Sequence, residues 1–306
     1  MSADRLTLAT AEPGVLSEGP FWDPVSRSIH WVDIRRGEVF TGTLFDDGTI
    51  EVVDRVSLPG TVGAMAPSAS GEWIVANGDH LVVVRDGGII RTIPVLGSDG
   101  ARRFNDGKPD AAGRYLVGTL SLAGPSDREE LLVVERDGSR RVLDGDLTLA
   151  NGLGWSADGT RLHTIDTLRR RVYTRDYDME SGATGRRELL VELDQGFPDG
   201  MCVDAEDHLW VAVWGLGEVR RYTPGGELVR AIEVPAPHTT SVAFAGPRLD
   251  TLVITTAADE LSPEQLEQYP HSGCLFTIVP GVTGLPQPLW SGFLDEMGEA
   301  TDEELG

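Results

Sequence analysis

An all-β fold, a six-bladed β-propeller of four-stranded antiparallel blades, is what this sequence predicts. Three observations carry the prediction. One strand–turn–strand unit recurs six times, the recurrences are evenly spaced, and long helical periodicity is absent. Glycine (37) and proline (18) are spread along the 306 residues rather than pooled in a linker, which suits many short strands joined by turns.

The unit reads as a polar residue, a small residue, an alternating apolar strand, a turn, then a second strand. The copies are EGPFWDPVSRSIHWVDI from Glu18, VGAMAPSASGEWIVAN from Val62, DGKPDAAGRYLVGTL from Asp106, NGLGWSADGTRLHTIDT from Asn151, DGMCVDAEDHLWVAV from Asp199 and TSVAFAGPRLDTLVITT from Thr240. Their starts lie 41 to 48 residues apart, the period of a four-stranded blade. Two further strands follow in each copy. In the first these are EVFTGTLF and TIEVVDRV, with Asp47-Gly48 as a hairpin turn; in the fifth they are EVRRYTP and ELVRAIEV around Gly225-Gly226. The exception to strand is SPEQLEQY, Ser262 to Tyr269, which starts like a capped helical turn. The expected organisation is a single propeller over residues 1–292 and an acidic, frayed tail over 293–306. A TIM barrel would need a helix after every strand.

Composition excludes several classes. Asp and Glu number 49 against 26 Lys and Arg, a net charge of -23, which has the wrong sign for a nucleic-acid partner. No apolar run approaches the ~18 residues of a membrane span, and the first residues lack the apolar core of a secretory signal. Two cysteines, Cys202 and Cys274, make no disulfide framework. These features predict a soluble, cytoplasmic protein with no obligate protein partner.

In a propeller the first strand of each blade lines the central channel, so equivalent positions converge on one axis. The position before the small residue holds Glu18, Val62, Asp106, Asn151, Asp199 and Thr240. Any one Asn-Gly or Asp-Gly is explained as a turn dipeptide. Four carboxylate or amide side chains at one convergent position are not so easily explained. Carboxylates crowded into a channel repel and are costly to bury without countercharge. A bound cation supplies that charge. Oxygen donors favour one hard divalent ion, Ca2+ first, with Mg2+ and Mn2+ as alternatives and Zn2+ or Fe2+ still open. Open coordination positions would make it a Lewis acid.

The residues also resemble the SMP-30/gluconolactonase/regucalcin-like family of six-bladed propellers. The stretches that carry the resemblance are EGPFWD (18–23), RFNDGKPDAAGRYLVGT (103–119), ANGLGWSADGTRLHTIDT (150–167), PDGMCVDAEDHLWVAVW (198–214) and TTSVAFAGPRLDTLVITTA (239–257). The resemblance implies metal ligation by Glu18, Asn151 and Asp199, substrate contacts from Arg103 and Asn105, and Asp199 as general base. It implies a lactonase opening a small sugar lactone. One departure is that GTLSLAG puts Ala123 where animal members have an acidic residue that binds sugar hydroxyls, which weakens gluconolactone as the specific substrate.

Other residues keep two readings. Asp106 is expected to face the channel with Arg103 and Asn105; as an ordinary cation Arg103 would instead pair with Asp106 or Asp110, and Asn105 would be a turn residue. Trp214 is either a sugar-stacking aromatic at the channel mouth or core, while Trp22 and Trp155 read as core. Asp166 reads as a strand-end turn residue. No two of the six histidines have ligand spacing, and only His238 falls near the expected mouth. Either Asp199 or a cation-activated water would serve as base. Two competing functions share the fold: a phosphotriesterase-type hydrolase and a non-enzymatic calcium-binding propeller.

Overall fold

The computed structural model describes residues 5–97 and 100–294. Among the described residues the chain is all-β apart from one short helix, in a propeller-like arrangement of small antiparallel sheets. β1 (Thr7–Leu8) is followed by four sheets in sequence order. The first holds β2–β5 (Ser17–Asp23, Ser28–Asp33, Glu38–Leu44, Ile50–Ser57). The second holds β6–β9 (Val62–Pro67, Trp73–Asn77, His80–Arg85, Gly88–Pro94). The third holds β10–β13 (Arg102–Pro109, Tyr115–Ser121, Glu129–Val134, Arg140–Leu147). The fourth holds β14–β17 (Ala150–Trp155, Arg161–Asp166, Arg171–Asp176, Glu188–Glu192). An eight-stranded sheet contains β18–β21 (Phe197–Val203, Leu209–Trp214, Glu218–Tyr222, Leu228–Glu233), β22–β24 (His238–Ala245, Thr251–Ala257, Phe276–Ile278) and β1. Within it, β19 and β22 meet through one pair, Trp214↔His238, so it is two four-stranded groups with a narrow seam.

Turn chemistry forms the hairpins where the sequence predicts them. Between β4 and β5, Gly48 sits at φ +89° while Asp47 Oδ1 accepts from Thr49 N at 2.9 Å. The capped turn is α1 (Pro263–Gln268): Ser262 Oγ accepts from Gln265 N, and Gln265 Oε1 accepts from Ser262 N. Among the described residues no helix is long and apolar enough to cross a membrane.

β2, β6, β10, β14, β18 and β22 contact one another in that order, and β22 returns to β2, closing a ring. Segments near both ends of the described residues tie the ring together. β1 adds to the edge of β24, pairing Thr7 with Thr277. After β24 the chain runs back across one face. It touches the other sheets in turn: Thr283 O accepts from Ala205 N, Gln287 Oε1 from Trp22 N, and Pro67 O from Trp290 N. Phe293 packs on Trp290, and Leu294 N donates to Arg136 O. Of the expected acidic tail, residues 295–306 lie outside the described residues.

Candidate functional site

Each ring-lining strand breaks register with its neighbour at the repeated polar position: between Glu18 and Phe21, Val62 and Ala64, Phe104 and Gly107, Asn151 and Leu153, Pro198 and Met201, and Thr239 and Ser241. A β-bulge re-aims side chains, and here the same device acts in all of these strands. Asn151-Gly152 and Asp199-Gly200 are therefore not turns but bulged strand interior. The glycine has a second reason: a Cβ on Gly152 would sit 2.6 Å from Asp199 O. Only a residue without a side chain lets β14 and β18 approach closely enough for Asn151 to meet Asp199.

Glu18, Asn151 and Asp199 line one cavity of about 510 Å³ with Arg103, Asn105 and Trp214. All but Trp214 are buried, Glu18 and Asp199 at 7% and 6% exposure. Asn151 Nδ2 donates to Asp199 Oδ1 and, at 3.2 Å, to Thr167 Oγ1; its Oδ1 accepts from Gly152 N at 3.2 Å. Glu18 Oε2 accepts from Gly19 N at 2.9 Å, and the Glu18 and Asp199 carboxyls are hydrogen-bonded to each other. Burial pushes the Glu18 carboxyl well above its usual range, and the charges of Asp199 and Asp106 push it further. Asp199 is raised by burial and by Asp106, with the Asn151 and Glu18 hydrogen bonds pulling the other way.

Asp106 does not line the cavity. It is buried at 6% exposure, Oδ1 accepts from Gly107 N at 2.7 Å, and Oδ2 has no partner. Burial raises its carboxyl; the Lys108 charge offsets part of this. Lys108 Nζ itself donates to Leu153 O and Met201 O. Asp106 thus stands outside the cavity wall, and its charge raises the Glu18 and Asp199 carboxyls.

Arg103 is no surface cation. It is 6% exposed, NH1 donates to Phe104 O at 2.7 Å and Asn105 Oδ1 at 3.2 Å, and Nε has no partner. Burial and the nearby Arg35 lower its pKa to about 10, against the opposing pull of Glu18 and Asp259. Asp110 is taken by Arg114 at 2.6 Å and by Tyr177 OH. Asn105 donates to Ala150 O at 3.2 Å and is a wall residue rather than a turn. Trp214 stacks on His238, centroids 3.8 Å apart. Trp22 is buried with Ile29 and Trp31, and Trp155 packs on the Leu116–Leu153 cluster.

The oxygen donors fit a hard cation. Two buried carboxyls are held together with one amide, a third carboxylate oxygen behind them is unpartnered, and among the described residues no Lys or Arg forms an ion pair with them, although the buried Arg103 charge pulls Glu18 down in part. Among the described residues no three His, Cys, Asp or Glu side chains form a metal-binding group by themselves; the third oxygen-bearing side chain beside Glu18 and Asp199 is the amide of Asn151. Ligation through Asn151 Oδ1 requires its amide to turn, giving up the bond to Asp199.

The sequence reading missed most of the cavity wall. Ile34-Arg35, Leu122, Thr167-Leu168 and Asp259-Glu260 follow the second strand of their sheets, and Ser121 and Trp214 each end one. The signal was present: the residues just after each second strand form a second repeated position, at the same end of the ring.

A sequence model described as the SMP-30/Gluconolactonase/LRE-like region matches residues 16–258. The chain belongs to this family. A protein of Sulfolobus acidocaldarius described as uncharacterized is 38% identical over 252 residues, covering 81% of this chain and 89% of the relative. The 6-deoxy-6-sulfogluconolactonase of Pseudomonas putida is 32% identical, with 94% and 99% covered. The crystal structure of the Agrobacterium tumefaciens calcium-binding protein regucalcin superposes with a TM-score of 0.83 at 29% identity, with 91% and 95% covered.

Proposed function

We propose that this protein hydrolyses a sugar lactone at one divalent cation held by Glu18, Asn151 and Asp199, in a six-bladed propeller whose eight-stranded sheet counts as two blades. The observation that carries the reading is the convergence of two buried, mutually repelling carboxyls and an amide on the floor of an open cavity. The family membership and the lactonase named among its relatives support it. Oxygen-only donors favour Ca2+, in keeping with the regucalcin described as calcium-binding.

A divalent cation bound there supplies Lewis acidity toward the lactone carbonyl and the countercharge that lets Glu18 and Asp199 both ionise. Asp199, released from Asn151 once that amide has turned, takes the proton of the attacking water on its carboxylate. Arg103 and Asn105 hold ring or hydroxyl oxygens; the free Arg103 Nε–H is a charge-assisted donor in a desolvated wall. Trp214 offers its face at the opening, fixed by the His238 stack. Asp106 keeps the floor negative.

The test is acid release in a pH-stat from glucono-, galactono-, xylono- and arabinonolactone, after chelation and after return of Ca2+, Mn2+, Zn2+, Mg2+ or Fe2+. Hydrolysis that vanishes on chelation and returns with a cation is expected. Background rates for every pair overturn the reading. An aryl phosphotriester arm detects the phosphotriesterase alternative; Ca2+ binding without any turnover leaves the non-enzymatic one.

A further inference from the structure

The cavity has two unlike sides. The sheets β10–β13 and β14–β17 and the group β18–β21 contribute Leu120, Leu122, Leu149, Leu168, Phe197 and Trp214. On the rest of the ring Leu16 and Ile34 are buried, and Arg35, Asp259 and Glu260 reach the opening, with Arg35 Nε 2.7 Å from Asp259 Oδ2. Leu122 and Leu168 are 54% and 43% exposed, large apolar side chains standing at the rim of the site. Both follow the second strand of their sheets, so the apolar rim is built from equivalent positions.

Arg103 and Asn105 stand on that side too, buried near the carboxyls; at the exposed rim beside Leu122 and Leu168 the polar neighbours are largely engaged. The Thr167 hydroxyl donates to Pro198 O at 2.9 Å and accepts from Asn151, and Ser121 Oγ accepts from Ala123 N at 3.2 Å. A polyhydroxylated arm laid against these leucines would give up water and gain few partners. A hydrocarbon arm would instead cover them, and each buried methylene strengthens binding about fourfold.

We infer that the lactone this site takes has a deoxygenated arm: a sugar lactone whose exocyclic carbons end in methyl or a longer alkyl chain. Its remaining hydroxyls face Arg35, Asp259 and Glu260. This rests on the lactonase reading above and narrows its substrate class. It also accounts for Ala123 in GTLSLAG, in a stretch lined by Leu120 and Leu122 rather than by an acid.

The experiment uses two lactones that differ by one oxygen, L-fucono-1,4-lactone and L-galactono-1,4-lactone, with the cation-loaded full chain. The deoxy lactone should have the higher kcat/KM by on the order of tenfold, mostly through KM. In the double variant Leu122→Ser, Leu168→Ser, both at exposed positions, that ratio should shrink several-fold. A galactonolactone kcat/KM equal to or above that of the deoxy lactone overturns the inference, as does a ratio unchanged in the double variant. If other aldonolactones are hydrolysed in a cation-dependent way while that ratio fails, the lactonase reading stands and only the narrowed substrate falls. If no lactone is hydrolysed, both fall.

Discussion

Two sets of buried carboxylates, at different positions of the repeat, behave differently. Asp33 and Asp166 end β3 and β15 and are fully buried. Asp33 accepts from Val15 N at 2.7 Å, Leu16 N at 3.3 Å and Arg36 N at 3.1 Å. Asp166 accepts from Thr148 N at 3.1 Å and Arg169 NH1 at 2.9 Å. Glu18 and Asp199 are buried almost as deeply, but their donors are one backbone N–H, one amide and each other. Burial alone does not mark a functional carboxylate. What marks it is burial with too few donors, because the missing countercharge must then come from outside the chain.

The largest effect that would break this contrast is on turnover. Asp199→Asn should cut lactone kcat/KM by about a thousandfold, since it removes the base and the negative charge of one ligand. It should not lower the denaturation midpoint of the cation-free protein, because it removes a repelling charge. A destabilised but active variant would place Asp199 with the structural set.

Asp166→Ala should do the opposite. Its N–H and guanidinium donors lose their acceptor in a buried setting, costing about 3 kcal/mol in urea unfolding, with kcat/KM per folded molecule nearly unchanged. A loss of turnover without loss of stability would move Asp166 into the site.

The smallest effects separate the two sets by pH. Glu18 and Asp199 have raised folded pKa values. Their contribution to stability is therefore fully present below the unfolded carboxylate pKa and lost as pH rises through the folded values. In the cation-free protein this limb should weaken stability toward neutral pH, and saturating Ca2+ should remove it, adding about 2.7 kcal/mol at a hundredfold excess over Kd. His30 and His163, three residues before Asp33 and Asp166, act in the other direction. Burial lowers both from 6.5 to about 4. Their contribution is present above pH 6.5 and lost as pH falls through about 4, so His163→Phe should flatten the acid limb by up to about 3 kcal/mol. Denaturation midpoints across pH 4 to 8, with and without cation, resolve the two limbs.

Much of the architecture was legible because a repeat restates its own rules. The alternation of EGPFWD and NGLGW, the Asp47-Gly48 turn and the Ser262 capping box each formed as the local chemistry directs. The cavity wall was less legible. Leu122, Leu168 and Asp259 lie in short connections with no periodicity, and only alignment of the copies on their second strands brings them together. Neither chain end was legible. Thr7–Leu8 is too short to carry a strand pattern and forms only because the edge of β24 is open. The segment from Gly281 to Phe293 has no pattern of its own and takes its path from the carbonyls and apolar gaps it crosses.

By itself the sequence determined the repeat, the strand order within each unit and the identity of the oxygen-bearing residues at the repeated position, because alternation and turn residues act over a few neighbours. Only the tertiary structure decided that Asn151 and Asp199 meet across a glycine, that Asp106 stands behind the wall, and that the hub carboxylates lack donors. Those properties belong to residues tens of positions apart, and no local preference encodes the distance between them.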